Sequence, residues 1–143
     1  MALYIDASTS PTHGKSVGCF FMAGSGMIKP KTVVLKSKTS TQAELELALY
    51  ALTIVCEEEG RRGFVLYTDC ANIANLTTRR YSMRHNNSQL YDRLKALILE
   101  NDVRVAKVVG HQSASSRITL TQRVFHSVDN RARKALRDLI KSS

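Results

Sequence analysis

The stretch Phe64-Val65-Leu66-Tyr67-Thr68-Asp69 decides the fold of this chain. Its apolar and β-favouring residues predict a strand, and an acidic residue closes it. The beginning of the chain repeats this pattern, because Leu3-Tyr4-Ile5 is followed by Asp6. If the two strands are neighbours in one sheet, we expect Asp6 and Asp69 to emerge at the same edge.

The segments on either side of this stretch predict eight further elements. Strands are predicted at residues 2–6, 17–23, 32–36, 63–68 and 103–109, and helices at 41–59, from 69 through 76, at 88–100 and at about 124–140. The order β-β-β-α-β-α-α-β-α predicts an α/β fold with a mixed five-stranded sheet, three antiparallel strands then two parallel, flanked by helices. The remaining segments, 7–16, 77–88 and 110–122, are predicted to be loops. A length of 143 residues predicts a single domain over residues 1–143.

The positive charge is confined to the second half of the chain. Residues 1–75 hold 7 Lys/Arg and 7 Asp/Glu, whereas residues 76–143 hold 14 Lys/Arg and 5 Asp/Glu, which accounts for the formal net charge of +9. This asymmetry favours a polyanionic partner, with nucleic acid first. The alternative is that basic helices only keep the surface solvated.

The cysteines and the hydropathy pattern argue against a zinc-stabilised protein and against a membrane protein. Cys19, Cys56 and Cys70 form no C-x-x-C pair, which argues against a structural zinc site. Cys19 and Cys56 lie in apolar runs and are expected in the core. No apolar run is long enough to span a membrane, and the first residues lack a signal pattern. We therefore expect a protein of the cytoplasm that does not contact membranes. We also expect a monomer.

Two further acids lie on predicted helices. Glu44 follows Thr41 in a pattern that also fits a capping box, and Asp69 could equally cap the next helix. Asp129 could simply pair with Arg133 one turn later. In the predicted topology, however, both helical acids can reach the edge of the sheet where Asp6 and Asp69 emerge. Clustered carboxylates stay ionised at neutral pH only with cations between them, and hard divalent ions take such oxygen ligands.

Five short motifs follow one another along nearly the whole chain. They are Leu3-Tyr4-Ile5-Asp6-Ala7-Ser8, Thr39-Ser40-Thr41-Gln42-Ala43-Glu44-Leu45, Leu66-Tyr67-Thr68-Asp69-Cys70, Gly110-His111 and Val128-Asp129-Asn130-Arg131-Ala132. These motifs and their order resemble those of a known family, type 1 ribonuclease H. The resemblance implies a metal-dependent endoribonuclease that cleaves the RNA strand of RNA–DNA hybrids and leaves 5′-phosphate and 3′-hydroxyl ends.

The resemblance also implies roles for individual residues. Two Mg²⁺ ions, with Mn²⁺ as a substitute, would be held by Asp6, Glu44, Asp69 and Asp129. His111 would shuttle protons or help the product leave. Residues that would contact the substrate are Ser8, Ser40, Thr41 and Gln42 at the 2′-hydroxyl, Thr39 at a phosphate of the DNA strand, and Arg79, Arg80 and Arg84 along the hybrid.

Two other functions remain open at this point. The chain could be a non-catalytic module of the same fold that binds hybrid or RNA, although four converging acids disfavour it. It could also be a related exonuclease or junction resolvase. The exonucleases usually carry Asp-x-Glu on the first strand, whereas this chain has Asp6-Ala7-Ser8.

Overall fold

A computed structural model describes residues 1–76, 88–108 and 119–142. The strands are β1 (Ala2–Ser10), β2 (Lys15–Ala23), β3 (Ile28–Leu35), β4 (Val65–Thr68) and β5 (Arg104–Lys107). The helices are α1 (Ser40–Leu52), which continues into a π-helical segment (Thr53–Glu58), α2 (Ala71–Ala74), α3 (Ser88–Glu100) and α4 (Leu120–Lys141). None of the described helices is long and apolar enough to cross a membrane.

The five strands form one mixed sheet in the order β3-β2-β1-β4-β5. The pairs β1–β2 and β2–β3 are antiparallel, whereas β1–β4 and β4–β5 are parallel. This arrangement confirms the predicted fold class, and it makes the first and fourth strands neighbours in the sheet.

Several predicted boundaries were wrong, among them the start of the third strand, which lies at Ile28 and not at residue 32 because Ile28 pairs with Met22 of β2. Strand β1 does not end at Asp6 but continues to Ser10, because residues 7–10 pair with residues 15–18 of β2. The predicted loop 7–16 thus shrinks to a turn at Pro11–Gly14. Helix α4 begins at Leu120, not near Val124, because Thr119 and Gln122 form a capping box at its start.

The sheet carries a hydrophobic cluster on each face. Leu3 and Ile5 point to the face covered by α1 and α3, whereas Tyr4 and Cys19 point to the face covered by α4. Alternation along β1 therefore places Asp6 on the α4 face. All three cysteines are free, and Cys19 and Cys56 are buried as predicted.

Gly18 on β2 allows α1 to pack closely on the sheet. A Cβ atom at this position would lie 2.6 Å from Cδ1 of Leu47, a contact that the packed core cannot accept without a shift. Leu47 is fully buried and lies one helical turn after Glu44. This close packing fixes the height of α1 above the sheet, and with it the position of Glu44.

Candidate active site

Parallel pairing of β1 with β4 brings the two strand acids together. Tyr4 lies opposite Tyr67 in the register, so Asp6 and Asp69 each follow two residues later on adjacent strands. The rings of Tyr4 and Tyr67 stack with centroids 4.9 Å apart on the same face. Asp6 is 3% exposed and Asp69 is half-buried. The prediction that Asp6 and Asp69 emerge next to each other from the sheet is confirmed.

Helix α1 places the third acid. Its N-cap is Thr39, whose side chain accepts from the amide of Gln42, so the capping box with Thr41 is wrong. Because the helix starts two residues earlier than that box requires, Glu44 lies beyond its first turn. Its Oε1 instead accepts a hydrogen bond of 2.9 Å from the amide of Ala7 on β1. This bond joins α1 to β1 next to Asp6.

Asp69 does not occupy a cap position. The N-cap of α2 is Cys70, without a side-chain capping bond, and its amide donates to Oγ1 of Thr68. The alternative reading of Asp69 as an N-cap is therefore wrong. The preceding strand, not the following helix, explains the position of its carboxylate.

Asp6, Glu44 and Asp69 form a tight acidic cluster. One carboxylate oxygen from each lies within 4.8 Å of the others. Among the described residues, Oε2 of Glu44 is a buried oxygen without a hydrogen-bond partner. Buried polar atoms are rarely left unpaired, so this oxygen indicates a ligand. A set made only of carboxylates fits hard divalent cations such as Mg²⁺ and Mn²⁺.

Burial and the neighbouring charges raise the pKa values of two of these acids, Asp6 and Glu44. For Asp6, burial is the largest cause, followed by the side chain of Asp129 within hydrogen-bond reach and the charges of Glu44 and Asp69. Burial also raises the pKa of Glu44, and the amide of Ala7 partly offsets this effect. Without a cation, these two buried carboxyls therefore hold protons more tightly than usual.

Asp129 reaches the cluster from α4. It lies beside Asp6, and its Oδ1 accepts a bond of 3.1 Å from Nε of Arg133, so the expected pair with Arg133 is also present. The side chains of Arg133 and Asp129 are 52% and 22% exposed, so the ion pair contributes little to stability. Although it pairs with Arg133, Asp129 still lies beside Asp6, at the edge of the acidic cluster.

All four acids line one pocket of about 510 Å³. The predicted substrate residues Ser8, Ser40 and Thr41 line it too, whereas Thr39 and Gln42 form the helix cap beside it. Sequence reasoning did not assign five further lining residues to the site. They are Ala7, Thr9, Cys70, Phe125 and Arg133. The signal available for three of them was proximity to an assigned acid, since Ala7 follows Asp6, Cys70 follows Asp69 and Arg133 lies one turn after Asp129.

The remaining predicted site residues lie outside the described parts of the chain. They are Arg79, Arg80, Arg84 and His111. Their roles stay predictions from the sequence.

A sheet of this topology, with carboxylates converging where its two central strands run parallel, is typical of ribonuclease H-like nucleases. The RNase H family model matches residues 1–136, and the chain belongs to this family of ribonuclease H-type hydrolases. The resemblance found in the sequence is confirmed. No curated protein sequence matches the chain significantly.

Solved structures support the same fold at low sequence identity. RNase H1 from Halobacterium salinarum is 17% identical, with a TM-score of 0.73 over 96% of this chain and 97% of that one. LC11-RNase H1, isolated from compost and solved in complex with an RNA/DNA hybrid, is 10% identical, with a TM-score of 0.73 over 97% and 98%. The N-terminal RNase H domain of a Mycobacterium tuberculosis protein is 15% identical, with a TM-score of 0.70 over 99% and 97%.

Proposed function

We propose that this RNase H-family protein is an endoribonuclease that cleaves the RNA strand of RNA–DNA hybrids and leaves 5′-phosphate and 3′-hydroxyl ends. The observation that carries the proposal is the convergence of Asp6, Glu44 and Asp69, whose ligand oxygens lie within 4.8 Å of one another in an open pocket. The hybrid bound to LC11-RNase H1, a protein of the same fold, supports the choice of substrate.

The four acids would hold two Mg²⁺ ions, with Mn²⁺ as a substitute. Bound divalent ions activate water as a nucleophile and neutralise charge on the reacting phosphate. Asp6 would be the central residue of this ligand set, because Glu44, Asp69 and Asp129 all lie near it. The unpartnered Oε2 of Glu44 would gain a ligand, and the bond from Ala7 would hold this carboxylate in place.

Hydroxyl groups on the pocket wall would read the substrate. Ser8, Ser40 and Thr41 line the pocket, where they could bond a 2′-hydroxyl of the RNA strand. Gln42, on the first turn of α1 beside the pocket, would contact the same 2′-hydroxyl. Thr39 lies at the exposed N-terminus of α1, where it could contact a phosphate of the DNA strand. Arg79, Arg80 and Arg84 would extend the contact with the hybrid, and His111 would assist catalysis.

The wider setting also remains a proposal. We propose a monomer that forms one domain over residues 1–143, acts in the cytoplasm and does not contact membranes. The charge excess of the second half supports nucleic acid as the partner.

The test is cleavage of end-labelled RNA–DNA hybrid, duplex RNA and duplex DNA in Mg²⁺, by wild type and by Asp69→Asn. A matched control is Asp102→Asn, because Asp102 is exposed and its φ of 53° suits Asn. We expect internal cuts in the hybrid's RNA strand only, a loss of at least about 100-fold in Asp69→Asn, and wild-type activity in the control.

Three outcomes would contradict the proposal. Hybrid binding without cleavage would indicate a binding module, and trimming of DNA from its ends would indicate an exonuclease. Full cleavage by a folded Asp69→Asn variant would remove Asp69 from the mechanism.

A further inference from the structure

The exposed side of α4 carries positive charge that the acidic pocket does not use. The helix contains six Lys/Arg and two Asp, a net charge of +4. Exposed cations follow its whole length, and only one of them lines the acidic pocket. The five others are Arg123, Arg131, Lys134, Arg137 and Lys141.

The six cations of α4 have only two acids at helical spacing: Asp129 lies four residues before Arg133, and Asp138 lies four residues after Lys134. Solvated helices place opposite charges four residues apart, which stabilises them. Here Arg133, Arg137 and Lys141 repeat the same sign at that spacing, which costs about 0.2–0.5 kcal/mol per pair. Within the described parts of the chain, the one salt bridge on α4 joins Arg133 to Asp129. The helix thus carries more cations than its own two acids can pair, and a bound anion would reduce the repulsion among them.

Part of this surface is concave and lined by hydrogen-bond donors. A groove of about 590 Å³ is lined by Arg123, His126, Ser127, Asn130, Arg131 and Lys134. Arg123 and Lys134 are eleven residues apart, or about 16 Å along the helix axis. A nucleic acid strand carries one phosphate per roughly 3.4 Å of duplex axis, so the groove can contact several successive phosphates.

The groove adjoins the active site. Asn130 follows Asp129 directly, and Lys134 follows Arg133, which lines the acidic pocket. Helix α4 therefore presents Asp129 to the acidic pocket on one side and the basic groove on the adjacent side. A phosphate backbone that leaves the pocket across α4 would pass over this groove.

We propose that the groove, defined by these six residues, is a second contact for the phosphate backbone of the nucleic acid whose RNA strand is cleaved. It binds a segment of the substrate beyond the cleavage site, and it rests on the proposed function for the identity of that substrate. Its contacts are electrostatic and independent of sequence, because the exposed groove presents cations to phosphates and no base-reading motif.

The test neutralises the groove and compares it with an equal change elsewhere. The variant is Arg123→Gln/Lys134→Gln. The control is Lys29→Gln/Lys31→Gln, which removes the same charge from exposed positions on the outer strand β3, separated from β1 by β2. Both are combined with Asp69→Asn to stop cleavage. Binding of a labelled hybrid is then measured by fluorescence anisotropy between 50 and 200 mM salt.

We expect the groove variant to lose about 1.8 from the slope of log K against log salt, or 0.9 per phosphate contact. Its deficit in affinity should then shrink about 12-fold between 50 and 200 mM salt, whereas the control keeps the slope of its parent. Equal slopes in the two variants, or no salt-dependent binding at all, would overturn the groove as a contact. If wild type fails to cleave the hybrid while the slopes still differ, the catalytic proposal falls and the groove remains.

Discussion

Replacing Asp6 with Asn should stabilise the metal-free protein while it destroys the metal site. The carboxylate oxygens of Asp6, Glu44 and Asp69 lie within 4.8 Å. At an effective dielectric constant of about 20, two unit charges at that distance repel by roughly 3.5 kcal/mol. Three ionised carboxylates would therefore consume most of the roughly 5–15 kcal/mol by which a domain is stable.

The metal-free fold avoids this repulsion by keeping protons, which makes its stability depend on pH. Burial first, and then the neighbouring acids, raise the pKa of Asp6 above its ordinary value of 3.8. The stabilisation that protonated Asp6 provides is fully present below pH 3.8. It is lost as the pH rises towards the folded-state pKa, by about 1.4 kcal/mol per pH unit. At pH 7 this loss reaches an upper limit of about 4 kcal/mol.

The variant Asp6→Asn removes that loss, and its amide can donate hydrogen bonds to the neighbouring carboxylates. We expect its free energy of unfolding in EDTA to exceed that of wild type by about 2–4 kcal/mol at pH 7, and by less at pH 5. Urea denaturation at pH 5, 7 and 8.5 measures this difference. The control Asp102→Asn should stay within about 0.5 kcal/mol of wild type, because Asp102 is exposed.

Mg²⁺ should reduce the difference in free energy of unfolding between Asp6→Asn and wild type, because it binds the folded wild type and not the variant. At one hundred times its dissociation constant, Mg²⁺ adds about 2.7 kcal/mol to wild type. The reasoning fails if Asp6→Asn is less stable than wild type at pH 8.5 in EDTA, or if the difference between them does not change with pH.

Three further variants test how the site is positioned. Gly18→Ala should lower the free energy of unfolding by about 1–3 kcal/mol, because the new Cβ would meet Leu47; an unchanged urea midpoint would show that α1 does not pack tightly there. Thr119→Ala should cost about 1 kcal/mol by removing the capping box of α4, as measured by thermal melting, and a wild-type melting temperature would count against the cap. Glu46→Ala should cost about 1–3 kcal/mol, because its carboxylate accepts from the amides of Lys36 and Ser37; wild-type stability in urea would show that these bonds are replaceable.

The fold could be predicted from the sequence because its main signals are local. The apolar strands around Leu3 and Leu66 and the periodic helix around Leu45 place the acids in the right topology without knowledge of side-chain contacts. The sequence leaves the pairing of the first and fourth strands as a condition, and the parallel register of Tyr4 with Tyr67 in the structure aligns Asp6 with Asp69.

The details of the site depend on contacts between distant residues, which local patterns do not reveal. The pattern Thr41-Gln42-Ala43-Glu44 fits a capping box, yet the amide of Ala7, 37 residues away, is the actual partner of Glu44. The contact of Gly18 with Leu47 is equally nonlocal. The basic groove was also missed, because the charge of α4 was weighed only as part of the net charge, whereas its meaning comes from which side of the helix is exposed.

The central claim is that Asp6, Glu44 and Asp69 bind divalent ions. Its most direct test is a crystal grown with Mn²⁺ and measured at a wavelength where manganese scatters anomalously. The account predicts anomalous density bounded by these three carboxylates, with one contact to the buried Oε2 of Glu44. If no anomalous density appears although the three side chains keep their positions, the claim that they bind divalent ions is contradicted.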